Sequence, residues 1–283
     1  MTKPRSQRAR KLADGLVKAV AALSACAGLA ALVWILYIVI HRGFQALNPA
    51  FFTRLPTPPG TAGGGLANAI VGTLLITVHA TLFSVPVGIA AGIYLAEFGR
   101  GTWLARSIQF TTNILIGVPS IIIGVFVYLL LVVPLRTFSG IAGAAALGMI
   151  MLPVVVRTTE DMLALVPDQL RESALALGAA RWQVTFRIVF RAARGGLLTG
   201  VLLAVARVSG ETAPLLFTAL NSPYWLHSLK EPVANLTVTI FNYAMSPYAD
   251  WQQKAWGASL LIMFGVLLTT IAARLLLKRR EGH

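Results

Sequence analysis

Six long apolar runs decide what this chain can fold into. They cover residues 19–40, 69–95, 108–133, 140–156, 196–220 and 256–277. A helix needs about 20 such residues to cross a hydrocarbon layer roughly 30 Å thick. With no water in that layer, a spanning helix must satisfy its own backbone groups. The expected fold is therefore all-α, a polytopic membrane protein with six transmembrane helices. Hydrophobic residues at 57% and charged residues at 12% place the chain in the same class. Pro119 and Gly124 interrupt the third run and Pro153 the fourth, breakers that membrane helices tolerate where neighbours satisfy the freed groups.

The distribution of basic residues sets the expected topology. Six Lys/Arg lie between Lys3 and Lys18, two at Arg100 and Arg106, six between Arg157 and Arg194, and four between Arg274 and Arg280. The other side holds Arg42, Arg54, Arg136, Lys230 and Lys254, an asymmetry of 18 to 5. By the positive-inside rule both termini face the cytoplasm. The net charge of +14 is thus topological; it segregates by membrane side and argues against nucleic acid as a partner. The organisation expected is a basic tail at 1–18, a first span and outer loop at 19–67, a core of five spans at 68–278 and a short tail at 279–283. Within the core the longest cytoplasmic loop runs over 158–195.

Several features exclude other classes. The single cysteine, Cys26, allows no intrachain disulfide. L-S-A-C at 23–26 superficially resembles a lipoprotein processing box, but the apolar run continues past it to Ile40, so it reads as an ordinary membrane-helix cysteine. The four histidines have no metal-site spacing. No G-x-x-x-x-G-K-[ST] occurs, so no P-loop binds ATP here. No nucleophile–base pair is evident, and the chain does not read as an enzyme. The connection at 221–255 is rich in Tyr and Trp, which suits an interfacial belt, a platform for a soluble partner, or both.

Charges inside spans are the first functional candidates. Arg207 and Glu211 fall near the middle of the fifth run, in A-R-V-S-G-E-T at 206–212. A central arginine or aspartate disfavours insertion by roughly 2.5–3.5 kcal/mol before any pairing. Their i, i+4 spacing lets the side chains meet on one helical face. Two readings stay open. One is an ion pair that holds the bundle together. The other is a switchable pair on a polar path, where Arg207 offers its fork of donors to an oxyanion. Ser209 and Thr212 supply hydroxyls or bond back to their own helix. Arg157, at the inner end of the fourth run, either lines the path or snorkels to headgroups and pairs with Glu160 or Asp161.

The 158–195 loop carries P-D-Q-L-R-E-S-A-L-A-L-G at 167–178 and a second amphipathic run at 181–190. Asp168 starts a helix whose dipole favours the acid Glu172, and Gly178 suits a left-handed helix end. Arg187, Arg191 and Arg194 form a basic stripe fitted to anionic headgroups. An ordered helix–turn–helix between spans points to something that docks there.

Taken together these residues resemble the phosphate-specific ABC importer permeases, of the PstA type. The closest stretch is R-V-S-G-E-T-A-P-L-L-F-T-A at 207–219, supported by G-V-P-S-I-I-I-G-V-F at 117–126, L-P-V-V-V-R-T-T-E-D-M-L at 152–163 and V-T-I-F-N-Y at 238–243. The resemblance runs from about Asn68 to the end of the last span. It implies the type I ABC importer permease fold, in the bacterial inner membrane, with a second, homologous permease subunit alongside. It also implies two ATPase subunits docking on the 4–5 loop and a periplasmic phosphate-binding protein. ATP and Mg would sit on those partners, with no cofactor on this chain. Arg157, Arg207 and Glu211 match positions implicated in the phosphate path. Glu172, Ala174 and Gly178, then Ile188, match the coupling loop. Two residues depart from the family pattern: Ser173 replaces an alanine, and Arg191 a proline before the fifth span.

The function expected is inward movement of phosphate driven by ATP hydrolysis on partner subunits. The alternatives are an ABC permease for sulfate or molybdate, a secondary transporter with Glu211 as its proton site, and a scaffold subunit without a path.

Overall fold

A computed structural model describes residues 7–278, so the tail at 279–283 and the first residues of the tail at 1–18, with Lys3 and Arg5, lie outside the described residues. The elements are α1 (Gln7–Ala46), α2 (Pro49–Thr53), α3 (Ala67–Ile93), α4 (Trp103–Gly117), α5 (Ser120–Val127), α6 (Val133–Leu135), α7 (Gly140–Ala164), α8 (Asp168–Ala176), α9 (Arg181–Gln183), α10 (Phe190–Val208), α11 (Ala213–Leu216), α12 (Leu236–Ala244) and α13 (Ala249–Lys278). Wider, π-type turns at Tyr94–Phe98, Tyr128–Val132 and Val184–Val189 extend α3, bridge α5 to α6 and lead into α10. Among the described residues there is no strand beyond a single bridge between Pro56 and Gly64.

Five helices are long and apolar enough to span a membrane unbroken. The third expected span is not one of them. It is built as Trp103–Gly117 and Ser120–Leu135, bent by 108° at the break. Pro119 causes this: it cannot donate to the ladder, and it holds Val118 in extended backbone.

Hydrogen bonds settle whether this piece crosses. Asn68, at the start of α3, donates to the carbonyls of Ser222 and Tyr224. Gly140 and Ile141, at the start of α7, donate to Glu231 and Leu229 of the same connection. Both helices therefore start at one end of the bundle and run to the other. The chain between them must return, so α4–α6 form one broken crossing and the spans number six.

The core is the parallel pair α3 and α7. Small residues let the backbones approach, as in membrane helix pairs generally. A Cβ on Gly88 would lie 2.8 Å from Val155, and one on Gly92 would overlap Thr159. Ser84, fully buried, donates across the pair to the Gly148 carbonyl at 2.9 Å. α10 packs antiparallel on α7, where Gly196 and Gly200 meet Met162 and Thr158. α1 touches α13 through its last turns, Gly43 against Leu260 and Gln45 against Gln253, and its residues 13–35 are exposed.

Other boundaries shift. The fourth span continues to Ala164 instead of ending at Val156, so Arg157 sits inside a helix. The fifth begins with the run at 181–190, which is continuous with it, and its helix stops at Val208 instead of Leu220. Lys254 is buried, not a free outer charge: it pairs with Asp250 at 2.6 Å and donates to the Gly63 carbonyl, pinning the first outer loop.

Candidate translocation site and coupling loop

The fifth span ends where its two charges sit. Arg207 lies in the last turn of α10; Ser209 to Thr212 are not helical, and α11 resumes at Ala213. The i, i+4 pairing expected for Arg207 and Glu211 is therefore not formed, because that geometry needs a continuous helix. Among the described residues no ion pair or hydrogen bond joins the two side chains. Ser209 bonds back to the Val205 carbonyl at 2.7 Å.

The structure instead brings both charges to one cavity of about 170 Å³, walled by α4, Val118, Pro119, Ser120 and Ile123 of the broken span and Ile150 and Val154 of α7. Ser120 is the first residue of α5, whose N-terminus has no side-chain cap. Ile122 donates to the Pro119 carbonyl at 3.0 Å, the amides of Ser120 and Ile121 have no intrahelical acceptor, and the helix dipole adds positive potential at that end. A cation, a carboxylate, a hydroxyl and a helix start without a side-chain cap thus surround one small space. The halves are held tightly: a Cβ on Gly124 of α5 would lie 2.6 Å from Pro214 Cα of α11.

Arg157 is not in this cavity. It lies three residues beyond Val154 on α7, about 4.5 Å further along the axis. Its guanidinium pairs with Glu160 at 3.5 Å and Asp161 at 3.3 Å while remaining about half-exposed, at 49%. Gln109 of α4 donates to Glu160 at 2.6 Å, tying the cluster to the other wall.

The loop residues divide by role. Glu172 is exposed. Ala174 is buried in a cluster with Ile93, Val166 and Val184, so it packs inward on its own chain. Gly178 has φ +82° and ends α8; Ala179 donates to the Ala174 carbonyl and Gly178 to that of Leu175, which is the Schellman pattern. Leu177 stands out at 89% exposed.

Two residues escaped the sequence reading. Arg171 joins Glu97, at the end of the α3 extension, at 2.8 Å, and their side chains are only 12% and 9% exposed. It also donates to Asp168 and to the carbonyls of Leu163 and Val166. The hydrogen bond that Arg171 donates to Glu97 holds the guanidinium above its ordinary range, against the opposing effect of burial. The signal available was a glutamate in the last turn of one span and an arginine in the loop helix, 74 positions apart; nothing local links them.

Comparison with known proteins decides the family. Residues 88–282 match the family described as binding-protein-dependent transport system inner membrane component. The chain belongs to this family. The proteins called phosphate transport system permease protein PstA are similar to it across nearly the whole permease. That of Yersinia pestis is 50% identical over 90% of this chain and 86% of its own length. That of Haemophilus influenzae is 48% identical over 96% of both. A chain of the MetNI methionine ABC transporter superposes with a TM-score of 0.64, at 20% identity over 76% of this permease and 95% of that chain. A chain of a bacterial alginate ABC transporter reaches 0.66, at 15% identity over 95% and 96%. The permease thus has the ABC importer fold and is a multi-pass membrane protein.

Proposed function

We propose that this chain is the transmembrane subunit of an ATP-driven importer that moves inorganic phosphate across the inner membrane. The observation that carries the reading is the cavity at the break of the third span, where Arg207, Ser120 and the N-terminus of α5 converge. Discontinuous membrane helices whose N-termini face an anion are a recurrent way to bind one inside the bilayer. Relatives 50% and 48% identical are called phosphate transport system permease proteins, which favours phosphate as the oxyanion carried. Arg157, one turn deeper along α7, is the second station on the path, held by Glu160 and Asp161 until the anion competes for it. Glu211 lines the same cavity without pairing with Arg207, and its carboxylate tempers the positive charge there.

The partners follow from the same reading. A second, homologous permease completes the path, two ATPases dock on the loop containing α8, and a periplasmic phosphate-binding protein delivers the anion. The end bearing Glu97 and Arg171 faces the cytoplasm, with both termini. ATP and Mg belong to the ATPases. Uptake by the reconstituted complex, with labelled phosphate against unlabelled sulfate or molybdate, tests this. The expected result is ATP-dependent uptake that neither competitor suppresses. Suppression by sulfate or molybdate assigns the site to another oxyanion, and uptake without the ATPases points to the secondary-transporter alternative.

A further inference from the structure

Arg171 contributes to neither the anion path nor the exposed face of the loop, yet among the described residues at that end it is the most heavily bonded side chain. Nε and Nη2 meet Glu97, Nη1 meets Asp168 and the Val166 carbonyl, and Nη2 also meets the Leu163 carbonyl. The helix α8 does not need it, since α8 ends in a Schellman motif closed by backbone groups alone. What the guanidinium does is join three elements: the end of α3, the last turn and exit of α7, and α8. Its planar fork fixes angles as well as distances, so α8 cannot turn against α3 or α7 without breaking one of these bonds.

The elements it grips lead to the cavity. α3 and α7 are interlocked at Gly88, Gly92 and Gly148, and bodies packed this closely move together. α7 then supplies Ile150 and Val154 to the wall beside Arg207. We propose that the Arg171–Glu97 pair is the latch that passes movement of α8 to the α3–α7 pair and through it to the cavity. Arg171 is on this view a positioning residue for transport. The inference rests on the reading of α8 as the ATPase-docking helix.

The test uses the full reconstituted complex with Glu97→Gln, Arg171→Gln, the double variant and Arg171→Lys. Three quantities are read: ATPase subunits retained, ATP hydrolysis, and phosphate taken up per ATP hydrolysed. The latch predicts that the ATPases stay bound and hydrolysis continues. Uptake per ATP falls about tenfold in each single variant, and no further in the double, because the pair acts as a unit. Arg171→Lys recovers part of the ratio, since lysine keeps the charge without the fork. The double variant leaves no buried charge unpaired, so it decides the matter even where Arg171→Gln fails to fold. A double variant that keeps the wild-type ratio, or that fails to assemble, overturns the latch. Leu177→Glu separates the underlying reading: if the ATPases still bind and hydrolyse normally with that exposed apolar contact charged, the docking role of α8 falls, independently of the ratio.

Discussion

Two arginine–glutamate pairs in this permease behave in opposite ways. Arg171 and Glu97 are 74 positions apart and are brought to 2.8 Å. Arg207 and Glu211 are four apart and are not joined, because α10 stops between them. The first pair is closed: its donors are spent on a carboxylate and on the carbonyls at the end of α7. The second faces a cavity and keeps its donors for something else. The contrast separates holding from binding. A charge whose hydrogen bonds are all used within the fold fixes geometry, whereas one left open beside an uncapped helix start can receive an anion.

The largest expected effect breaks the closed pair. Arg171→Ala leaves Glu97 buried without its partner, which destabilises by about 3–5 kcal/mol. Thermal unfolding of the purified chain in detergent should show a clearly lowered midpoint, and an unchanged one would mean the pair adds no stability. An intermediate effect comes at the loop turn. Gly178→Ala forces a side chain into the left-handed region, at roughly 1–2 kcal/mol, and the same melting assay should register a smaller drop. The smallest is expected at Arg157, whose pairs are half-exposed: Arg157→Gln should change stability by about 1 kcal/mol or less while reducing uptake. A large loss of stability there would move Arg157 to the closed class.

Most of the fold was legible because its signals are local and strong. The apolar runs placed the spans, and Asp168 and Gly178 bracketed α8 as expected. Pro119 was visible as a breaker, but a proline can kink a helix or end it. Pro119 marks where the helix breaks, but the seating of the second half on α11 at Gly124 is a tertiary contact that no local pattern encodes. Arg207 and Glu211 are legible because charges are rare in spans, yet their i, i+4 spacing lets them meet only on a continuous helix. The continuity fails at Ser209–Gly210, where α10 ends. Ala174, which matches the coupling loop of the family pattern, packs inward on Ile93 and Val166, and only tertiary structure shows which face of so short a helix it occupies. Glu97–Arg171 was illegible for the same reason: a pairing across 74 positions is a product of the α3–α7 packing.

The most direct test of the open pair is labelled-phosphate uptake and ATP hydrolysis, measured together in the reconstituted complex, for wild type and Arg207→Gln. The complex should assemble and hydrolyse ATP while uptake falls by about tenfold or more, the scale of a lost charge-assisted contact. Wild-type uptake by Arg207→Gln would contradict this expectation, returning Arg207 to a structural role and leaving the cavity without its anion-binding group.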